Sequence, residues 1–422
     1  MRFFSSCSPA LHALSVCCLI TSTTVVIAQE PIWPGWLGAK RDGWIANYEA
    51  PKNWPEKLEK VWQRPVGSGY GSPLVVGERV IQHARQGEEE VLVCLELGTG
   101  KEIWKSSFSV PFKMGGGGEW HGKGPKSSPI FADGRVFTLS INGVLSAWKS
   151  DNGELIWRQD YSDRFGKAKT PYWGACTCPI VVDDKVVVHL GSDDEGMLVA
   201  FDVATGKEIW QSGSDGAAYS SPLLSEILGV RQIVEWNHNG LAGIVPETGE
   251  RLWFFSLPHV GTQQNMPTPS ILKDHILVGG ENRGVRSIGF EITGGKWEAK
   301  EVWLQKDVAL DMSSAVVNGD LLFGFSQYGK GRLFCIDSQS GDVRWEGPPR
   351  SGQNATLLAF PDHVAVLLDS GKLQIIAASG GEFREIKSYQ VADSPTWAPP
   401  VLLDGGLLVK ARENLIYWRL PE

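Results

Sequence analysis

Apolar and polar positions along this chain come in short bursts that repeat. Runs such as SPLVVGERVIQ, SSPIFADGRVFTLS, CPIVVDDKVVVHL and PTPSILKDHILVG each hold two β-rich segments around a polar turn, for example Gly77-Glu78, Asp133-Gly134 or Asp183-Asp184. Two apolar segments hinged on such a turn predict a hairpin. A third apolar run follows, as in GMLVAFDVATG, and then a strand carrying tryptophan. No stretch of useful length carries the 3.6-residue period of a helix. The repeated unit is therefore four strands.

One phrase marks the period. GTGKEIW ends at Trp104, DNGELIW at Trp157, ATGKEIW at Trp210, ETGERLW at Trp253 and QSGDVRW at Trp345, each with a glycine four residues before the tryptophan. TGGKWEAKEVW at Trp303 and SGGEFREIKSY at Tyr389 are stretched copies, and Trp62 is an orphan first copy. The aromatic positions are separated by 42, 53, 53, 43, 50, 42 and 44 residues. Four strands at that period make a propeller blade. The turn aspartate (Asp202 in FDVATGKEIW) accepts backbone hydrogens, the glycine takes a positive φ, and the indole covers the seam to the next blade.

Strand sets begin near Ser72, Ser127, Cys178, Ser220, Pro267, Ser313, Asn354 and Trp397. The last has room for only three strands before the C-terminus, and the orphan segment Leu58–Val66 supplies the fourth. The expectation is an all-β, eight-bladed propeller of four-stranded antiparallel blades. The N-terminal strand pairs with the C-terminal blade, so that no sheet edge is left open; seven blades is the alternative count. Residues 58–422 form this single domain, and 29–57 a lead-in.

The first 28 residues read as an export signal: Arg2, an uncharged stretch from Leu11 to Ile27, and small residues at a cleavage point after Ala28. The stretch is short and broken by Ser and Thr, unlike a spanning anchor. Val16 before Cys17 and Cys17 before Cys18 lack the small residue a lipoprotein acceptor cysteine needs. The mature chain is expected in the periplasm or outside the cell, with no transmembrane span, as a monomer. Cleavage removes Arg2 and no acid, moving the formal charge from −8 to −9. An acidic surface without basic runs excludes nucleic acid as a partner. Cys94 and Cys335 read as core fillers, and Cys176 and Cys178 as two small buried thiols rather than a disulfide.

The repeated D-x-x-T-G-K-x-x-W of FDVATGKEIW resembles the tryptophan-docking repeat of quinoprotein alcohol dehydrogenase-like (pyrroloquinoline-quinone-repeat) propellers, over nearly all of the mature chain. WPGWLGAKRDGW (Trp33–Trp44), YWGACTCP and YSSPLL are similar to segments of exported bacterial propellers with these repeats. The resemblance implies one of two activities. Quinone-dependent dehydrogenases share the repeat with non-enzymatic propellers such as the lipoprotein of the outer-membrane barrel assembly machinery. The dehydrogenases carry adjacent cysteines over the cofactor, an aromatic floor, and a calcium held by a Glu, an Asn and an Asp. Here the adjacent cysteines fall in the signal, and Asp311 is a single carboxylate in the place of a catalytic base. Pyrroloquinoline quinone with calcium thus lacks a complete site, and no metal is expected.

Loops leading into each innermost strand open on one face of a propeller, where binding groups collect. Their polar and aromatic members form a candidate ring: Tyr70, Lys126, Tyr172, Trp173, Tyr219, Asn265, Asp311, Gln353, Asn354 and Trp397. The glycine-rich loop KMGGGGEWHGKG adds Trp120 and His121, read either as a lid over the channel or as a flexible insertion. The acidic turn GSDDEG reads as a solvated turn. The expected function is an exported binding or scaffold protein whose channel face takes a protein, peptide or glycan; the alternative is a quinone-dependent alcohol or sugar dehydrogenase.

Overall fold

The structure, a computed structural model, describes Met1 and residues 31–114, 121–165, 170–261 and 263–420. Among these residues eight antiparallel sheets follow one another round a ring. Blade 1 runs from its inner strand Leu74–Val76 through Arg79–Gln86 and Glu89–Glu96 to its outer strand Glu102–Ser109. Six further blades repeat that order from inner strands Ile130–Ala132, Ile180–Val182, Leu223–Ile227, Ser270–Leu272, Val316–Asn318 and Ala355–Phe360. In the eighth, Val401–Leu403, Gly406–Lys410 and Asn414–Arg419 are completed by Glu59–Pro65, with Glu59 opposite Arg419 and Pro65 opposite Asn414. The ring closes as its arithmetic required.

The burial of each strand explains its composition. Second and third strands are packed on both faces, so Arg79–Gln86 and Glu89–Glu96 are buried over six consecutive positions each. The third strand reads as an apolar run from Val91 to Leu95, whereas the second buries Gln82, His83 and Arg85 among its apolar residues. Outer strands such as Glu102–Ser109 alternate between exposed and half-buried positions, the pattern of a strand with one face in water.

The recurrent glycine and tryptophan meet across the blade seam. A Cβ on Gly206 would lie 2.6 Å from the Trp157 ring of the preceding blade, and φ at Gly206 is +70°. The Trp157 indole N–H donates to Val203 O at 3.1 Å, in the same turn. Trp62, Trp210, Trp303 and Trp345 donate in the same way to Leu97, Pro246, Ser338 and Ser379 of the blades that follow. Two copies depart: the Trp104 indole N–H has no partner among the described residues, and Trp253 turns to its own blade. The hairpin of blade 5 (Val285–Thr293 and Lys296–Gln305) is extended, which carries its glycines away from the seam. Trp253 bonds Gln232 Oε1 of its own blade instead, at 2.6 Å.

A second circumferential bond set holds the inner strands together. The backbone N–H of Ser72 donates to Ser128 Oγ (2.9 Å), Ser128 N–H to Cys178 Sγ (3.2 Å) and Cys178 N–H to Ser221 Oγ (2.9 Å). Ser221 N–H then donates to Thr268 Oγ1 (3.0 Å) and Thr268 N–H to Ser314 Oγ (2.9 Å). Each of blades 2 to 6 thus offers one small acceptor to the blade before it. The four described cysteines are free thiols, and Cys178 acts here in place of a hydroxyl.

The lead-in crosses the channel. Pro31–Trp33 adds a fifth strand inside blade 1, pairing with Val75 and Val76. Pro34 O then accepts Phe131 N–H of blade 2. The Arg41 guanidinium, 7% exposed, donates to Pro179 O (2.9 Å) and Cys178 O (3.0 Å) of blade 3. Gly43 O and Ile45 N–H bond Ala359 of blade 7 at 2.8 Å each. A chain that touches blades 1, 2, 3 and 7 from inside closes the channel as a septum. No helix among the described residues is long and apolar enough to cross a membrane.

Candidate functional site

Above the septum lies a cavity of about 490 Å³, with Trp36 and Leu37 of the lead-in among its lining. One position per blade recurs in the wall: Tyr70, Lys126, Cys176, Tyr219, Met266, Met312, Asn354 and Trp397 in ring order. In blades 1 to 6 each stands two residues before the inter-blade acceptor or its donor (Ser72, Ser128, Cys178, Ser221, Thr268, Ser314). In an extended segment that spacing puts both side chains on the same side, here toward the channel.

The wall is uneven in chemistry. On the side of blades 1, 2, 3 and 8 aromatic rings cluster, His121 edge-on to Trp173 and Trp397, and Tyr70 tilted against Trp397. His121 lies 5.0 Å from Trp173 and 5.5 Å from Trp397, and Tyr70 lies 5.8 Å from Trp397, centroid to centroid. Tyr70 O–H donates to His121 O at 2.8 Å, and Trp173 N–H donates to the Tyr219 hydroxyl at 3.1 Å. The Lys126 ammonium donates to Trp173 O at 2.8 Å and lies 5.6 Å from the Trp173 ring centroid. On the side of blades 5 and 6 stand Glu281 and Asp311.

Burial sets the protonation states. It lowers His121 to about 4, helped by the positive charge of Lys126, so the imidazole is neutral near pH 7. It lowers Lys126 and drives Tyr219 far up. It pushes the Cys176 thiol up to about 12, which keeps it protonated and unreactive. Asp311 is raised to about 6 by burial and then by the charge of Glu281.

The structure brings Tyr70, His121, Lys126, Trp173, Tyr219, Asp311, Asn354 and Trp397 round this one cavity. Other sequence candidates fall elsewhere. Asn265 is wholly buried and serves as a joint: its side-chain amide donates to Asn237 O (2.8 Å), and its backbone carbonyl accepts Tyr219 and Ser220 N–H. Tyr172 stands outside with 43% exposure, edge-on to Trp173. Gln353 is exposed, its N–H bonded to Asp369 Oδ1. Trp120 lies outside the described residues, as does the signal segment apart from Met1. In the GSDDEG turn, Asp193 Oδ2 accepts Tyr172 N–H at 2.9 Å.

Sequence reasoning missed Trp36, Leu37, Met266, Met312, Cys176 and Glu281. Glu281 was reachable, because it sits in a loop joining the second and third strands of blade 5, on the same face. The lead-in residues gave no strand pattern from which a septum could be drawn.

The quinone demands are met only in part. Trp36 offers an aromatic floor. Cys176 and Cys178 are unbridged, and the Cys178 thiol accepts Ser128 N–H. No group of three His, Cys, Asp or Glu side chains among the described residues could hold a metal ion. The residues present do not fit pyrroloquinoline quinone with calcium.

An all-β ring of tryptophan-docked blades with one cupped mouth defines a quinoprotein-type repeat propeller. The family described as outer membrane protein assembly factor BamB matches residues 87–347, more than half of the chain, and the chain belongs to it. The Yersinia pestis outer membrane protein assembly factor BamB is 21% identical over 300 residues, covering 69% of this chain and 72% of that one. The crystal structure of BamB from Moraxella catarrhalis superposes with a TM-score of 0.61 at 14% identity, covering 86% of this chain and 97% of that one. The quinohemoprotein alcohol dehydrogenase from Comamonas testosteroni superposes with a TM-score of 0.69 at 13% identity, over 94% and 82%. At such identities the superpositions speak for the fold alone.

Proposed function

We propose that this chain is an exported, non-catalytic scaffold propeller that holds a partner or ligand at the cupped mouth of its channel. The observation that carries the reading is the cup itself: a cavity of about 490 Å³, walled by one variable side chain per blade and floored by the chain's own lead-in. A largely apolar pocket with a few converging polar groups is the ordinary form of a ligand site. Among the described residues no nucleophile is paired with a base there, since the inter-blade hydroxyls are engaged with backbone and the thiol is protonated. The family relation supports a protein partner. Export is part of the proposal: cleavage after Ala28 places the mature chain, residues 29–422, in the periplasm or outside the cell.

A photocrosslinking amino acid at Tyr172, on the rim, compared with one at exposed Ile292 on blade 5, tests the reading in cells. Adducts from the rim position alone support it; adducts from Ile292 alone overturn it. The dehydrogenase reading draws on the Comamonas fold relative and on Asp311 within the cup. It predicts that quinone and calcium bind saturably, raise the melting temperature, and support dye-linked oxidation that Asp311→Asn abolishes.

A further inference from the structure

Three charged groups in the cup make no ion pair among the described residues. The Lys126 ammonium makes one hydrogen bond, to Trp173 O, and has no carboxylate within ion-pair distance among the described residues. An ammonium has three donors, so two remain. Across the cup, neither Asp311 nor Glu281 makes a hydrogen bond or a close ion pair among the described residues. The nearby Arg283 guanidinium is turned to the carbonyls of Pro258 (2.9 Å) and Gln264 (3.3 Å). Half-buried charges without partners are costly, and a ligand that supplies the partners recovers that cost.

Their placement is polar in the geometric sense. Lys126 belongs to blade 2 and Asp311 to blade 6, four places apart in a ring of eight and hence on opposite walls. Between them lie flat apolar surfaces, Trp173 and Trp397 at the side and Trp36 below.

Building on the channel-face reading, we infer that the cup binds a short peptide by its two free ends, the ammonium at Asp311 and Glu281 and the carboxylate at Lys126, with a flat side chain against Trp173 and Trp397. The size agrees. A sphere of the cavity's volume is roughly 10 Å across, and two or three extended residues at about 3.3–3.6 Å each span it. A single amino acid, with both charges on one carbon, reaches only one wall. A neutral sugar answers the aromatic faces but leaves the two carboxylates facing each other. The charge on Glu281 is already felt by Asp311, which a cation between them would relieve.

The test is a titration of the purified mature protein with the tripeptide Gly-Phe-Gly, followed by tryptophan fluorescence and calorimetry. The same peptide N-acetylated and C-amidated serves as comparison. Saturable binding is expected, weakened about tenfold or more by either cap. Lys126→Met should erase the penalty of the amide cap alone, and Asp311→Asn should reduce that of the acetyl cap alone. Equal binding of free and capped peptides, or cap penalties indifferent to both substitutions, overturns the inference. Failure to bind up to about 10 mM also overturns it; if rim crosslinks still form, the channel-face reading survives without it, and if they do not, both fall.

Discussion

The septum depends on one side chain more than any other, so Arg41→Met is the informative perturbation. The Arg41 guanidinium makes two charge-assisted hydrogen bonds, to Pro179 O and Cys178 O, and lies 5.6 Å from the Trp36 ring centroid. Bonds of that kind contribute about 1.5–3 kcal/mol each, roughly 3–6 together. Burial offsets part of this: it lowers Arg41 from 12.5 to about 10, a displacement worth roughly 3 kcal/mol at 1.4 kcal/mol per decade. Loss of the ring contact and two orphaned carbonyls restore some of the deficit, for a net cost of about 2 kcal/mol. That cost is local to the lead-in, because the blades keep their own hydrogen bonds. The assay is hydrogen exchange at the Ile45 and Ala359 amides, which tie residues 43–45 to blade 7. Their exchange should quicken about 30-fold in the variant, with the Trp157 seam unchanged. Unchanged exchange at Ile45 and Ala359 would refute the claim that Arg41 clamps the floor of the cup.

Other substitutions test the repeat and the cup. Gly206→Ala should cost about 2–4 kcal/mol, from a Cβ driven to 2.6 Å of Trp157 at φ +70°, read from urea midpoints. Gly134→Ala, at φ +73° with open space around it, should cost only about 1–2 kcal/mol, and equal losses would remove the seam argument. Cys178→Ser should leave stability within about 0.5 kcal/mol while Cys178→Ala loses about 1 kcal/mol in the same assay, because the residue's task is to accept Ser128 N–H. Asp311 titrates near 6 in the fold against 3.8 unfolded, so its ionisation opposes folding and stability falls as pH rises through 6. Asp311→Asn should therefore stabilise by about 1–3 kcal/mol at pH 7.5 and change nothing at about pH 3, below the unfolded value; a stabilisation independent of pH would contradict the assignment.

The fold was legible because its signals are local and repeated. A tight turn, a positive-φ glycine and a seam tryptophan must recur in nearly every blade, and the chain writes them in one phrase at a steady period. Ring closure was legible by subtraction, since the last blade lacked a strand that Glu59–Pro65 supplies. The floor of the cup was not. Residues 34–45 hold no regular element, and their positions follow from single long-range bonds such as Arg41 to Cys178 O, across 137 positions. Nothing in a local pattern specifies such a bond. Asn265 and Gln353 misled for the opposite reason. Polar residues near a channel mouth are as often joints or solvent-facing caps as wall, and only packing separates the three.

The inner strands also show how one scaffold separates its fixed work from its variable work. Two residues apart in the same segment stand an acceptor that joins neighbouring blades and a side chain that faces the cavity. The acceptor positions of blades 2 to 6 are Ser128, Cys178, Ser221, Thr268 and Ser314, all small and all able to take one backbone hydrogen. The wall positions beside them are Lys126, Cys176, Tyr219, Met266 and Met312, which share no size, charge or bonding capacity. A channel that needed only to be filled would be served by one apolar residue repeated, as the seam is served by one tryptophan. The wall instead carries an ammonium on blade 2 and a carboxyl beside Met312 on blade 6, each without an ion partner among the described residues. Stability gains nothing from that arrangement, as the raised Asp311 records, and a site that holds charges apart at such cost is organised around something that comes to fill it.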